Sequence, residues 1–374
     1  MSKDYVSLHN HTTFSIMQSL IKPVDLFKRV KELGQSAIAV TDSGSLAGAW
    51  DCMLYAKEAG VKLIIGCEFY FADDLSNESA RLRHIILLAK NAEGYKNLLK
   101  LNKLGNDNAV IMFGKVIPRI DWNAIENHSD DLICTTACGA GILSQLINTR
   151  KLDQAKLQAR RLKDIFGTNL ALEIQPHGMK RVANAYRDYE DQKFTNAQLI
   201  KIGQELDIKV VATTDAHYLT PDQHKAHDVL LAVGSGQPIT SGNRLKYDSG
   251  SFHVKSRDEV LEFFSMYPQA EEFCDNSLFF ANMCEEPAWI DPKYSNPTGR
   301  ELPDFKVKEQ LDYKEFLTWL EMPINEIEKN YLLKLIFPKE KIDEDQRPIF
   351  SVFDPPGTPG IMRRNEVMIR LLRK

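Results

Sequence analysis

The 374-residue sequence contains no uninterrupted apolar run of about 18 residues, the length a membrane-crossing helix needs. Its opening, MSKDYVSLHN, lacks the apolar stretch of a secretory signal. A cytoplasmic protein with no membrane partner is expected. Cysteine is sparse: Cys52, Cys67, Cys134, Cys138, Cys274 and Cys284 are too few to staple a chain of this size, which excludes a disulfide scaffold. Cys134 and Cys138 are spaced C-x3-C with no second pair nearby, which argues against a structural zinc module. Charge of one sign is also in short supply. The 47 basic and 51 acidic residues leave a formal −4, so contact with nucleic acid has to come from a local basic patch or a metal site. The remainder, 43% hydrophobic and 26% charged, is ordinary for a globular protein and provides one large α/β domain with an appendage, or two domains.

Short apolar, β-rich runs alternate with amphipathic stretches through roughly the first 235 residues. Strands are predicted at 5–8, 37–40, 61–65, 84–88, 132–135, 170–174 and 209–213. Helices are predicted at 23–33, through Ala56 and Ala59, and at 95–104, 141–148, 153–166 and 196–206, the first with proline in its opening turn. Continuous apolar strands separated by helices point to buried parallel pairing. Six or seven such units suggest a (β/α) barrel rather than an open sheet.

Residues able to do chemistry cluster at the ends of these strands. His9 and His11 follow the first; two apart in an extended segment, both imidazoles can reach one ion. Asp42, Glu68, Cys138, Glu173 and the pair Asp215 and His217 each fall at a C-terminal strand end, the face from which barrel enzymes build their sites. His84 departs from the pattern, because it opens its strand. Asp42 in T-D-S-G equally serves as a helix cap, Cys138 as a small buried hydrophobe, and Glu173 with His177 as the closure of a surface turn. Five to seven nitrogen, oxygen and sulfur donors on one rim suit Zn²⁺, Mn²⁺ or Fe²⁺ rather than the all-oxygen cages of Mg²⁺ or Ca²⁺.

The segments L-H-N-H-T-T-F-S, A-I-A-V-T-D-S-G, I-I-G-C-E-F-Y, H-I-I-L-L-A-K-N, L-E-I-Q-P-H-G and V-A-T-T-D-A-H-Y-L resemble, in order, the motifs of the PHP (polymerase and histidinol phosphatase) domain. The resemblance is to the form found at the N-terminus of bacterial DNA polymerase III alpha subunits. It continues through A-H-D-V-L-L-A-V, K-S-R-D-E-V and P-Q-A-E-E-F-C-D-N-S, covering about residues 1–305. It implies a distorted (β/α)7-type barrel over residues 1–290. It also implies two divalent cations, one held by His9, His11, Glu68 and Asp215 and a second by Glu68, His84 and Cys138, with Glu68 bridging. A third cation in the family uses the match of His217 together with two positions that here look like Gln18 and Ser43, so that site is expected to be weakened or absent. Asp42, Glu173 and His177 are left to orient an imidazole or to contact a phosphate.

Residues 291–374 read differently. A turn and linker at 296–299, a helical pattern at 313–337 and a stretch at 361–374 with five basic residues against one acidic suggest a small, mostly helical, basic extension. No Asp-x-Asp stands in a polymerase-like strand setting; the nearest run, Asp343-Glu344-Asp345, lies among charges. The resemblance therefore implies metal-dependent phosphodiester hydrolysis in DNA replication, as a 3′-5′ exonuclease acting in proofreading on a DNA 3′ end beside a polymerase core or other replisome subunits. The alternative it leaves open is an inactive, metal-stabilised module that supports a polymerase or binds its exonuclease. Basic runs at 81–83, 160–163 and 180–181 offer themselves to a DNA backbone, or form solvated faces.

Overall fold

Alternate residues along the strands pack onto opposite faces, and this period of two organises the chain. The computed structural model describes residues 4–112, 115–178, 192–242, 244–247 and 249–287. In chain order the elements are α1 (Pro23–Glu32), β1 (Ala37–Val40), α2 (Ala49–Ala59), β2 (Lys62–Phe71), β3 (Arg83–Ala89), α3 (Ala92–Asp107), β4 (Val110–Met112), β5 (Lys115–Ile117), α4 (Trp122–Asn127), β6 (Leu132–Thr135), α5 (Ile142–Asn148), α6 (Leu152–Phe166), β7 (Leu170–Ile174), α7 (Gln192–Leu206), β8 (Lys209–Ala212), α8 (His224–Ser235), α9 (Arg257–Phe264) and α10 (Ala270–Asn282). The expectations for residues 180–181 and 291–374 lie outside the described residues.

Six strands form one sheet in the order β1-β2-β3-β6-β7-β8, and β4 and β5 form a separate ribbon. The predicted 5–8 strand is extended but irregular. It still lies between the two edges of the sheet: Ala39 N–H donates to the Ser7 carbonyl at 3.0 Å and Thr41 N–H to the Asn10 carbonyl at 2.9 Å, while His11 N–H donates to the Ala216 carbonyl at 2.9 Å. This seventh, strand-like segment bridges β1 and the end of β8, and the sheet curls into a distorted (β/α)7-type barrel.

One expectation is corrected. The sheet is mixed: β1–β2, β6–β7 and β7–β8 are parallel, but β3 runs antiparallel to both β2 and β6. A continuous apolar run reports burial on both faces and carries no information about direction. The reversal explains His84, because the start of an antiparallel strand lies at the same rim as the ends of its neighbours.

Ile38, Leu63, Ile85, Leu87, Cys134, Leu172 and Val210 face outward into a core shared with α1, α2, α3, α5, α6 and α7. Val6, Leu8, Ala37, Ala39, Ile64, Ile86, Ile133, Ala171 and Val211 face inward and meet Phe280 and Ala281 of α10. α10 plugs the end of the barrel where the parallel strands begin, Lys62 Nζ donating to the Ala281 carbonyl at 2.9 Å and Asn276 Nδ2 to the Val210 carbonyl at 2.9 Å. Each large apolar side chain so buried contributes about 1.5–3 kcal/mol. The opposite end is left for polar groups. No described helix is long and apolar enough to cross a membrane.

Candidate metal centre

The inward stripes change character toward the open rim. On β2 the inward positions run Ile64, Gly66, Glu68; on β7, Ala171, Glu173; on β8 and just beyond it, Val211, Thr213, Asp215. Gly66 is required where β2 and β3 approach closely, because a Cβ there would fall 2.8 Å from the Leu87 carbonyl oxygen. Asp215 occupies the left-handed region at φ 41°, a conformation that Asp tolerates better than most residues but that still costs free energy.

All seven residues expected to ligate metal converge. His9, His11 and Glu68 form one group, His11, Asp215 and His217 a second, and Glu68, His84 and Cys138 a third; in each, the donor atoms lie within 4.8 Å of one another. Six are buried and Cys138 is half-buried. Glu68 lies between the groups. Its Oε1 is 2.7 Å from His84 Nδ1, 3.6 Å from His9 Nε2 and 3.9 Å from Cys138 Sγ, and its Oε2 is 3.9 Å from His11 Nε2.

Three imidazoles are pinned through Nδ1. His9 Nδ1 meets Glu173 Oε1 at 2.7 Å, His217 Nδ1 meets the Gln18 carbonyl at 2.9 Å, and His11 Nδ1 meets Ser15 Oγ at 3.0 Å. The Ser15 hydroxyl already donates to Asp42 Oδ1 at 2.7 Å, so toward His11 it accepts. Each Nδ1 is therefore the donor, and each neutral ring presents a lone pair at Nε2. All three Nε2 atoms lie 3.2 Å from Asp215 Oδ1, and those of His9 and His11 are 3.0 Å apart. Asp215 Oδ1 is buried with no hydrogen-bond partner. Lone pairs and a carboxylate oxygen this close repel one another unless a cation lies among them, and this mixed nitrogen, oxygen and sulfur set fits a divalent ion.

Burial opposes charge on His9, but Asp215 and Glu173 outweigh it and hold its imidazolium well above the ordinary range. Burial likewise pushes the Glu68 and Asp215 carboxyls up, yet the surrounding histidines hold both well below the carboxylate range. His217 is pushed down by burial and by His11.

The remaining expectations divide. Asp42 does not cap α2, whose N-cap is Gly48. It accepts from Thr12 N–H at 2.7 Å, Thr12 Oγ1 at 2.8 Å and Ser15 Oγ, fixing the loop that carries His11. Glu173 and His177 are buried, which rules out a surface turn. Glu173 accepts from Thr135, Thr213 and Gln175 at 2.5, 2.6 and 2.8 Å as well as from His9. His177 joins none of the three groups; its ring stacks on Phe252 at 3.8 Å. Ser43 and Gln18 do meet at the rim: Ser43 Oγ lies 3.2 Å from Gln18 Oε1, 3.0 Å from Glu68 Oε2 and 3.4 Å from His11 Nδ1. Of the basic runs, Arg83 is buried against Asp73 and Arg161 pairs with Glu126, so these two side chains already have acidic partners. Ser15, Thr135, Thr213, Gln175 and His227 escaped the sequence reading, since Ser, Thr and Gln have too many uses to signal a role by type. Ser15, Gln175, Thr213 and His227 stand within segments that carry the family resemblance, and Thr135 does not.

The PHP domain family matches residues 7–177. DNA polymerase III subunit alpha of Borreliella burgdorferi is 35% identical over 327 residues, covering 84% of this chain and 26% of that protein. The Helicobacter pylori subunit is 33% identical over 363 residues, 92% of this chain and 28% of that protein. The Aquifex aeolicus subunit is 30% identical over 372 residues, 92% and 30%. The chain thus spans roughly a quarter to a third of the length of these relatives. A solved two-domain protein from Bacteroides vulgatus, described as containing a PHP-like metal-dependent phosphoesterase, overlaps 57% of this chain and 52% of its own at 13% identity and a TM-score of 0.34, too loose a likeness to carry weight. Sequence kinship and the ordered motifs make the chain a member of the PHP domain family, of the kind borne by DNA polymerase III alpha subunits.

Proposed function

We propose that this chain is the metal-dependent phosphodiesterase part of a replicative DNA polymerase III alpha subunit in the cytoplasm, removing nucleotides from a DNA 3′ end, with polymerisation supplied by residues outside it. The observation that carries the reading is the meeting of three Nε2 lone pairs on the unpartnered Asp215 Oδ1. His9, His11, Glu68 and Asp215 would hold one cation, and Glu68, His84 and Cys138 a second, of the Zn²⁺, Mn²⁺ or Fe²⁺ class. Divalent ions so held supply Lewis acidity and neutralise charge developing on a phosphoester. The chain's own contribution is orientation: Glu173 and the Gln18 carbonyl keep Nδ1 of His9 and His217 occupied, so both rings offer Nε2 inward.

A second reading has its own observation. Ser43 and Gln18 put neutral hydrogen bonds where the family carries further ligands, which favours a metal-stabilised module that supports the polymerase or docks its exonuclease without turnover. Mn²⁺-dependent digestion of a 3′-labelled primer decides between them. Activity that disappears in Asp215→Asn, with about two ions per chain in the parent protein, supports hydrolysis. Two bound ions with no digestion at high protein concentration leave the structural module, and fewer than one ion per chain overturns both.

A further inference from the structure

A cavity of about 350 Å³ opens onto the cluster and includes Glu68, His84, Asp215 and His217 in its wall. That volume is at the lower end for small-molecule sites, enough for one nucleotide unit and too little for a base-paired end. Among the described residues lining it, the permanent cations are Lys115 and Arg244. Arg244 is fully committed: it grips both Asp228 oxygens at 2.6 and 2.7 Å, and its other N–H groups go to the Ile239 and Leu245 carbonyls. Lys115 has no acidic partner among the described residues.

The β4–β5 ribbon aims Lys115 inward. Lys115 pairs with Met112, Val116 with Ile111, and Ile117 with Val110. Ile111 and Val116 are 78% and 66% exposed, so the alternate residues Met112, Lys115 and Ile117 form the face that lines the cavity. Gly234 of α8 stands at the same wall, where a Cβ would lie 2.9 Å from Met17 Cβ and 3.6 Å from Lys115 Nζ. A single ammonium is thus set among apolar side chains, in a cavity whose other wall is a cation-binding cluster.

We infer that this cavity takes one nucleoside monophosphate unit, either free or as the last unit of a single strand. Lys115 and the cluster hold the phosphate, and Met17, Met112, Ile117 and Leu231 cover the base. The inference rests on the reading of the cluster as a phosphoester site, and it adds the residue and the surface that select a nucleotide over a bare phosphate.

Calorimetric titration of the full chain loaded with Mn²⁺, using thymidine 5′-monophosphate, thymidine and inorganic phosphate, tests it. The monophosphate binds at least about tenfold more tightly than either fragment. Lys115→Gln weakens it by about tenfold or more, the scale of a lost charge-assisted hydrogen bond, without changing Mn²⁺ content. Lys115→Arg restores most of the affinity, and Lys103→Gln on exposed α3 changes nothing. Equal affinity for phosphate and nucleotide, or normal nucleotide binding by Lys115→Gln, overturns the inference. If the nucleotide binds as expected but primer is not digested, hydrolysis fails and the inference stands; digestion with unaltered binding by Lys115→Gln gives the reverse. A short oligothymidylate that displaces the nucleotide assigns the source to a strand end, and failure to displace assigns it to the free nucleotide.

Discussion

The Asp215 side of the cluster and the Ser43–Gln18 side share strand ends but not electrostatics. Around Asp215, three rings with their Nδ1 protons already placed turn lone pairs toward an oxygen that no hydrogen bond reaches. Around Ser43, a hydroxyl proton has acceptors to choose from at 3.0 and 3.2 Å, and Gln18 Nε2 donates onward to the Tyr70 hydroxyl at 3.3 Å. The first side is short of positive charge and the second is satisfied without any. Buried polar atoms are paired almost everywhere in proteins, so the unpaired Asp215 side is the one whose geometry calls for a cation, while the Ser43 side already has its hydrogen bonds.

The sharpest way to break this contrast is Glu173→Gln. The substitution keeps the shape but replaces the carboxylate that accepts from His9 Nδ1, and so weakens the hold on that ring and lowers its basicity. Loss of such an orienting carboxylate lowers metal affinity by about 10–100-fold. Competition for Mn²⁺ against a chelator of known affinity measures this. Unchanged affinity means that pinning Nδ1 does not aim Nε2, and the Asp215 side loses its distinction.

Much of this site was legible in the sequence. His-x-His, Asp-x-His and an isolated Glu after apolar runs announce themselves, because few other uses put imidazole and carboxylate at successive strand ends. The direction of β3 was not legible, since an apolar run reads the same both ways, and His84 looked misplaced until its strand was seen to be reversed. The closure by residues 5–11 was also hidden: its hydrogen bonds to both sheet edges come from an irregular backbone without strand periodicity. Asp42 was open to a capping role because T-D-S-G has the composition of a helix start; the helix begins only at Ala49. Glu173 was seen, but the donors that hold it were not: Thr135 and Thr213 lie 38 and 40 residues away at spacings no local pattern encodes, and Gln175, two residues on along the same face, has a side chain with too many other uses to signal the contact.

A smaller effect tests how the two sides are joined. His227 Nε2 donates to the Gln18 carbonyl at 2.8 Å, the same oxygen that His217 Nδ1 uses. Burial and then His217 push His227 down to about 3. An unfolded histidine takes a proton near pH 6.5 and this one does not until about 3, so its cost is absent above about 6.5 and grows as pH falls toward 3. At pH 5 that amounts to about 2 kcal/mol, from about 1.4 kcal/mol per pH unit. Urea unfolding at pH 7 and pH 5, in chelator, should show a pH-dependent loss larger in the parent chain than in His227→Gln by that amount. Equal losses would mean that His227 takes its proton in the folded chain as readily as in the unfolded one, so that neither burial nor His217 opposes its charge.

The smallest effect belongs to Ser43→Ala. Ser43 Oγ has one proton, which can go to Glu68 Oε2 or to Gln18 Oε1 but not to both, so the substitution removes one neutral-donor hydrogen bond worth about 0.5–1.5 kcal/mol. His11 keeps Ser15 Oγ at 3.0 Å as the better partner of its Nδ1, against 3.4 Å to Ser43, so the ring does not lose its orientation. Glu68 loses a competitor for its Oε2 and keeps His84 on Oε1 at 2.7 Å. Metal affinity should therefore stay within about twofold of the parent while the unfolding midpoint drops slightly, the reverse of the balance expected for Glu173→Gln. A tenfold fall in Mn²⁺ affinity would make Ser43 a working part of the cation site, and the two sides of the cluster would then differ in degree only.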